Sequence, residues 1–585
     1  MRLIYLNVCE DELFSDIGVN FTDDYLVSVV DKSQIIIKKN ECFNKNSIYG
    51  EKIDNITAIV GKNGTGKTTL LNFLGMQDNE VFHYYPKASY CILYEENDNL
   101  YIEIKQGERC INFLVEEPEE KIRNWWVIKY DKKNKKINCS FDLKWGHMIP
   151  HLNKICEKVF YLYYKDNSAN QTGWTRTCGF DYDGNLSESN INRINIHNFI
   201  YDIYYFMIKK RDMLNKILKK REDVGGILIL NHANNKTIIW ESCERGDFAK
   251  TFIIQMLFNI CMQKNKDEND FEQINRKLIK DDLENLPKIE DYEYYKNTLK
   301  KIFLDKYSYH KKELYSLIES LENIDAKYFQ KRGNYFVKKG CISSEVIKFS
   351  LSNKFDFDFY TMLKKISEFN DDFSNYNLFV YQYDYMSAGE AKSIDIFSGV
   401  YQIINRNIGL KDKKLILLLD EPDKGMHPEL TRKFISILND FSEEIGNKYR
   451  CKFQYIISTH SPFLILDVPE TNVYRMDIKN EKIVLKRGNK GIMSNVVDLI
   501  KDDFFLESVF GELSEKYFKE VQKEIKDSNV LTDIEEIKSK IEFINEPCLK
   551  DYLYERLEKK LEEKYSKESL IQYYKRKIRE LEKND

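Results

Sequence analysis

Apolar residues in this chain fall into two kinds of run, and where they fall divides it into four parts. Short β-rich runs open it, at Leu3–Val8, Tyr25–Val30, Ile35–Ile37 and Ile56–Val60, separated by polar turns. Similar runs recur at Tyr90–Tyr94, Leu100–Ile104, Cys110–Val115, Trp126–Tyr130 and Val159–Tyr164. β-branched and aromatic residues bounded by turn formers predict strands. From about Ser187 to Gly340 the texture changes to long charged segments with a helical period. Leu314, Leu317, Ile318, Leu321 and Ile324 keep the i, i+3, i+4, i+7 spacing, and Phe252–Cys261 reads as a strongly apolar helix. Gly225-Gly226 and Pro287 interrupt this stretch. Beyond it, Leu415–Leu419 and Phe453–Ile457 are nearly continuous apolar runs, as expected of central parallel strands buried on both faces. Val473–Ile478 and Lys482–Leu485 read as a hairpin. The tail is helical, with one stripe at Leu553, Leu557 and Leu561 and another at Leu570, Tyr574, Ile578 and Leu581. The divisions expected are an N-terminal lobe at 1–186, a helical insertion at 187–345, a second lobe at 346–494 and a C-terminal helical region at 495–585.

Composition narrows the class. The chain has 585 residues, 42% hydrophobic and 14% aromatic, so it can bury a large core and is not a disordered polymer. A formal net charge of -4 does not advertise nucleic-acid binding, although a near-neutral total can hide a basic face. Twelve cysteines are scattered with no C-x-x-C pair, which argues against a zinc ribbon, a zinc hook or a redox dithiol. The N-terminus turns acidic at Glu10-Asp11, too soon for a signal peptide, and no apolar run approaches the ~18 residues of a membrane span. The expectation is a cytoplasmic protein without a membrane partner.

Four short motifs carry the chemistry. Gly61-Lys-Asn-Gly-Thr-Gly-Lys-Thr68 fits G-x-x-x-x-G-K-[ST] at the end of one apolar run. Its glycines let backbone N–H groups curl around phosphate, with Lys67 reaching the terminal phosphates and Thr68 holding Mg²⁺. Leu415–Leu419 ends in Asp420-Glu421-Pro422, where Asp420 can orient Mg²⁺ through water and Glu421 can polarise an attacking water. The third apolar run ends in Ser458-Thr459-His460-Ser461-Pro462, where His460 is either a γ-phosphate sensor or a structural histidine. Met386-Ser387-Ala388-Gly389-Glu390 precedes an apolar helical stretch from Ile394 to Ile404 and offers a hydroxyl and backbone donors to an anion.

This order of P-loop, signature, Walker B and switch histidine resembles the ABC/SMC/RecF/OLD superclass of P-loop ATPases. Asp420–Pro428 and Ser458–Pro462 resemble its OLD-like and RecF-like branch rather than transporter cassettes. The resemblance implies an α/β ABC-type head, a P-loop parallel sheet plus an antiparallel β layer, with an inserted helical arm and a C-terminal helical tail. It implies ATP and Mg²⁺ as cofactors. The nucleotide would rest on Gly61, Asn63, Gly64, Gly66, Lys67, Thr68 and Thr69. Ser387, Gly389 and Glu390 of another copy would close it, giving a homodimer or higher oligomer through ATP-bridged heads. Asp420 and Thr68 would hold the metal, Glu421 would act as base and His460 would read the γ-phosphate. The stretch from Lys67 to Ser387 is longer than in a compact cassette, and Gln171 is the candidate Q-loop glutamine, against a plain loop residue.

The segment Asp502–Phe510-Gly511-Glu512 resembles the tail of the ATPase subunit of Septu and retron-associated antiphage systems. That implies a sensor or regulatory subunit beside a separate HNH-type nuclease or toxin, with double-stranded DNA as a further ligand. The alternatives are a RecF-like repair ATPase or an ATP-locked scaffold that sequesters an effector. Lys209, Lys216 and Lys220 read as one helical stripe beside Lys210, Arg211, Lys219 and Arg221, with Lys331, Arg332, Lys338 and Lys339 as a second basic group. Each group is either a solvated face or a DNA-facing groove. The tail helix is either packed on its own head or a docking element. His232 reads as a turn residue, and no nuclease motif is present within the chain.

Overall fold

The computed structural model describes residues 1–10, 14–30, 34–40, 48–76, 81, 83–96, 99–105, 126–131, 136–138, 159–165, 191–195, 199–230, 245–264, 291–306, 310–337, 340–372, 379–479, 481–503, 508–527 and 530–581. Two compact units divide the chain, Met1–Phe505 and Leu506–Asp585. The first opens with β1 (Arg2–Glu10), β2 (Ser15–Asn20), the hairpin of β3 (Tyr25–Val30) and β4 (Gln34–Lys39), then β5 (Ile53–Gly61) and α1 (Lys67–Gly75). β6 (Ser89–Glu96), β7 (Asn99–Lys105), β8 (Trp126–Asp131) and β9 (Lys136–Asn138) complete an antiparallel sheet ordered β2-β1-β6-β7-β8-β9. Then come β10 (Val159–Tyr164), β11 (Ile191–Asn195), α2 (Ile200–Lys209), α3 (Arg211–Leu218), β12 (Gly225–Leu230), α4 (Arg245–Lys264), α5 (Tyr292–Lys306) and α6 (Lys311–Asn323). β13 (Phe329–Val337), β14 (Gly340–Ser350), α7 (Phe357–Asp372), β15 (Phe379–Asp384) and α8 (Ala388–Arg406) lead to β16 (Lys414–Asp420). α9 (Pro428–Tyr449), β17 (Lys452–Thr459), α10 (Pro462–Ile465), the hairpin of β18 (Val473–Lys479) and β19 (Lys482–Arg487), and α11 (Val496–Asp503) end the unit.

A seven-stranded sheet ordered β11-β10-β16-β17-β5-β18-β19 holds the motifs. All its pairings are parallel except β18 with β19. Side chains alternate along each strand, so one run feeds two cores. Leu415, Leu417 and Leu419 face a core built with the helices α2, α4, α7, α8 and α9, while Ile416 and Leu418 face α1 and the antiparallel layer. Leu417 is buried, and Leu417→Ala should cost about 2–5 kcal/mol through lost contacts and the cavity left behind. A lowered urea midpoint at unchanged slope checks this; an unchanged midpoint would contradict the central placement of β16.

Polar side chains staple the antiparallel layer to this sheet. Buried Gln454 on β17 accepts from Leu3 N (2.9 Å) and donates to Leu3 O (2.8 Å) and Phe21 O (3.1 Å). Asn472 donates to Asn55 Oδ1 (2.9 Å) and to Asp23 Oδ2 (3.0 Å). Burying such amides is tolerable only because each finds partners.

The stretch expected to be a helical insertion is mixed. α4, α5 and α6 are helices, and Leu314, Leu317, Ile318 and Leu321 are buried as their spacing predicts. However, β11 extends the parallel sheet, and β12 joins a second antiparallel sheet ordered β13-β14-β12-β15. Gly225-Gly226 is therefore not a break in a helical arm. A Cβ on Gly225 would lie 1.9 Å from Phe349 O, and one on Gly226 would meet the Tyr381 ring at 2.5 Å, so the glycines permit close strand approach.

The stripe expected of Lys209, Lys216 and Lys220 does not form either. α2 ends at Lys209, α3 starts at Arg211, and Lys219 and Lys220 have positive φ of 52° and 61°. Lys210 pairs with Glu444, Arg211 with Glu222 and Lys216 with Asp440, so much of that basic character is neutralised. Cys110–Val115, Gln171, His232, Lys338 and Lys339 lie outside the described residues, as does Phe504–Phe505 of the tail segment.

In the second unit, α12 (Glu512–Asp527), α13 (Val530–Glu542), α14 (Pro547–Lys564) and α15 (Lys567–Leu581) form a helical bundle. Leu553, Leu557 and Leu561 of α14 bury against Val521, Ile525, Ile534, Ile537 and Ile541, so this stripe serves the unit's own core. Of the second stripe, Leu570 packs against that core while Tyr574 and Ile578 are exposed. Among the described residues no helix is long and apolar enough to cross a membrane.

Candidate nucleotide site

Strand register brings the motifs to one edge. Asp420 at the end of β16 sits beside Ser458 of β17, and Ser458 and Thr459 pair with Ile59 and Val60 of β5. Loops leaving the carboxyl ends of parallel strands open onto a shared crevice. β5 turns there into the loop that α1 follows. Gly64 and Gly66 take φ of 77° and 86°, which residues with a Cβ rarely adopt. A Cβ on Gly66 would strike Ile483 (2.7 Å) and Phe14 (2.8 Å), whereas nothing lies within 4 Å of one on Gly64. Thr65 anchors the loop from within by donating to Lys62 O at 2.8 Å. Asn63 and Gly64 are exposed, and Thr68 and Thr69 half-buried.

Lys67 is buried at 4% exposure. Its Nζ donates to Gly61 O and Lys62 O at 3.2 Å and lies 2.7 Å from His460 Nε2. Burial lowers its pKa, while Glu421, Asp420 and Asp423 pull the other way. Thr68 Oγ1 donates to Asp420 Oδ2 at 2.9 Å, and Ser458 Oγ donates to Asp420 Oδ1 at 2.6 Å. Burial raises the Asp420 pKa against these hydrogen bonds. A carboxylate and a hydroxyl sharing an edge form a hard oxygen pair of the kind Mg²⁺ takes.

Glu421 is held in an unusual backbone state, with φ 46° in a residue that carries a side chain. Its amide donates to Ser458 Oγ at 2.9 Å, and its Oε1 lies 3.0 Å from His460 Nε2. One nitrogen thus sits between an ammonium and a carboxylate, and the imidazole tautomer decides which of them it bonds. Burial and the Lys67 charge lower the His460 pKa, favouring neutral imidazole at neutral pH.

Ser387 and Gly389 stand at the start of α8 rather than at a strand end. Ser387 caps α8 reciprocally with Glu390: Glu390 N donates to Ser387 Oγ at 3.3 Å, and Ser387 N donates to Glu390 Oε2 at 2.8 Å. Glu390 also faces Arg221 at 3.5 Å. A Cβ on Gly389 would lie 2.5 Å from Met426 Cα, so the glycine lets α8 abut the turn after Glu421.

Three contributors escaped the sequence reading. Ser458 orients Asp420, Thr459 Oγ1 donates to buried Asp423 at 2.8 Å, and Lys392 Nζ donates to Glu421 O at 2.6 Å. Ser458 and Thr459 adjoin His460, so their placement was the available signal. Nothing local marked Lys392.

Residues 408–467 match a family described as "AAA domain, putative AbiEii toxin, Type IV TA system". The match spans β16 to α10 and so includes Asp420, Glu421 and His460. Site and match together support a P-loop ATPase domain of AAA type. No curated protein matches the chain. Among solved structures, one titled "Crystal structure of the SmcHead bound to the C-winged helix domain of ScpA" aligns at 10% identity and a TM-score of 0.27, covering 83% of this chain and 98% of that one. So remote a likeness adds nothing to the strand order, on which the fold rests.

Proposed function

We propose that this chain binds ATP with Mg²⁺ and hydrolyses it at the crevice of Lys67, Asp420, Glu421 and His460. The observation that carries this reading is the chain of contacts from Lys67 Nζ to His460 Nε2 to Glu421 Oε1, at 2.7 and 3.0 Å. The Gly61–Gly66 amides and Lys67 bind the phosphates, and open space at Gly64 admits them to the backbone. Asp420 and Thr68 would hold Mg²⁺, which would supply positive charge against the negative charge that develops on the phosphates. Glu421 takes a proton from water as the water oxygen bonds to the γ-phosphorus and the bond to the β–γ bridging oxygen breaks, giving ADP and phosphate. His460 orients Glu421 and contacts the γ-phosphate. Mg²⁺-dependent phosphate release by the purified chain tests this; a chain that releases none at saturating ATP would contradict it.

The same reading extends to assembly. Ser387, Gly389 and Glu390 begin a helix whose N-terminus favours anions, and the crevice of one copy is proposed to close against this segment of another. Ser387→Arg should then suppress turnover alone, and mixing it with Lys67→Ala protein should restore part of it, because one mixed site keeps both intact halves. No partial recovery in the mixture would rule out shared sites. The family's description names a toxin and a toxin–antitoxin system, which favours an ATP-gated regulator of a separate effector, toxin or nuclease, in antiphage defence. Pairing of Lys210, Arg211 and Lys216 with acids weighs against a DNA groove on that face.

A further inference from the structure

We propose that Lys392 is a positioning residue for Glu421, tying the helix that begins at Ser387 to the base of the same chain. This rests on the hydrolytic reading above. Glu421 is clamped through both of its backbone polar groups. On one side its amide donates to β17, to Ser458 Oγ at 2.9 Å and Ser458 O at 3.2 Å. On the other, its carbonyl accepts from Lys424 N at 3.2 Å and from Lys392 Nζ at 2.6 Å. Lys392 lies in the second turn of α8, half-buried, with its ammonium 5.9 Å from the centroid of the Tyr164 ring.

The clamp matters because Glu421 sits at φ 46°, a conformation that persists in a residue with a Cβ only where surrounding contacts enforce it. Losing the Lys392 donor leaves the carbonyl held by the longer Lys424 N bond alone, so the backbone can relax towards negative φ and swing Oε1 away from His460 Nε2. The clamp is anchored to α8 rather than to a loop, because Gly389 lets that helix abut the Gly425–Met426 turn directly. A displacement of the segment at Ser387 is therefore carried to Glu421 of its own chain through one side chain on the same rigid helix. In an assembly where that segment meets a second nucleotide, Lys392 gives each site a reading of the other.

Lys392→Met keeps the stem and removes the donor, while Lys392→Arg keeps a charged donor. For Lys392→Met we expect kcat to fall by about ten- to hundredfold, as a misplaced catalytic group does, with KM for ATP and melting temperature nearly unchanged. Lys392→Arg should recover most of the loss. Deuterium uptake by the 420–427 peptide should rise in Lys392→Met, with the other sheet peptides unaffected; this readout does not depend on turnover. Wild-type kcat in Lys392→Met, unchanged uptake at 420–427, or equal losses in both variants with a lowered melting temperature would each overturn the proposal. A wild-type chain that releases no phosphate would contradict the hydrolytic reading instead, and the exchange experiment would still decide whether Lys392 holds the Glu421 turn.

Discussion

Lys67→Ala should weaken ATP binding by about a hundredfold, the loss expected when a charged hydrogen-bond donor to the triphosphate disappears. The substitution removes more than one contact. Lys67 is the buried cation facing Asp420, Glu421 and Asp423, and all three act on its ionisation. Without it these carboxylates face the incoming phosphates uncompensated, and like charges brought together in a partly desolvated crevice repel. Direct titration with a fluorescent ATP analogue checks this, with the melting temperature as the control for folding. Wild-type affinity in a folded Lys67→Ala protein would discredit the phosphate-binding assignment of the Gly61–Thr68 loop.

Glu421→Gln should separate binding from chemistry. The amide keeps the size and shape of the carboxylate but cannot take a proton, so kcat should fall by ~10²–10⁴ while ATP affinity holds. The backbone clamp at Ser458 and Lys392 does not involve the substituted atoms, so the turn should keep its geometry. Nucleotide should then accumulate unhydrolysed, and the proposed ATP-bridged assembly should become longer-lived, visible as a larger species by light scattering. Wild-type turnover in Glu421→Gln would place the base elsewhere. Partner capture and protection retained without turnover would favour a scaffold that uses ATP binding alone.

Much of the sheet could be read from local pattern, because its central strands are buried on both faces. Leu415–Leu419 and Ile56–Val60 have no polar alternation to misread, and each runs straight into one of the candidate motifs. The insertion misled for the opposite reason. Gly225-Gly226 looks like punctuation in a charged, helical stretch, yet the pair is selected by neighbours at Phe349 and Tyr381, more than a hundred positions away. The lysine stripe failed at both ends of α3: Lys210 at φ -116° and ψ 37° separates it from α2, Lys219 and Lys220 take positive φ beyond it, and Lys210 and Lys216 turn to Glu444 and Asp440 on α9.

The candidate site divides along the same line. Gly66, Lys67, Asp420 and His460 could be named as candidates because each stands in a short motif at a strand end, and the structure brings Lys67, Asp420 and His460 to one edge of the sheet. Asp423 with Thr459, and Lys392 with Glu421, were not, because such pairs form only when α8, β16 and β17 pack together. Ser387 was legible as a helix start, and its capping box with Glu390 bears that local feature out.

A single-turnover experiment with enzyme in excess over γ-labelled ATP addresses the convergence of these residues on one triphosphate most directly. The expected result is Mg²⁺-dependent release of labelled phosphate from the wild-type chain, no nucleotide captured by Lys67→Ala, and nucleotide captured but retained by Glu421→Gln. Release that is indifferent to both substitutions, or a wild-type chain that captures no ATP, would contradict the account.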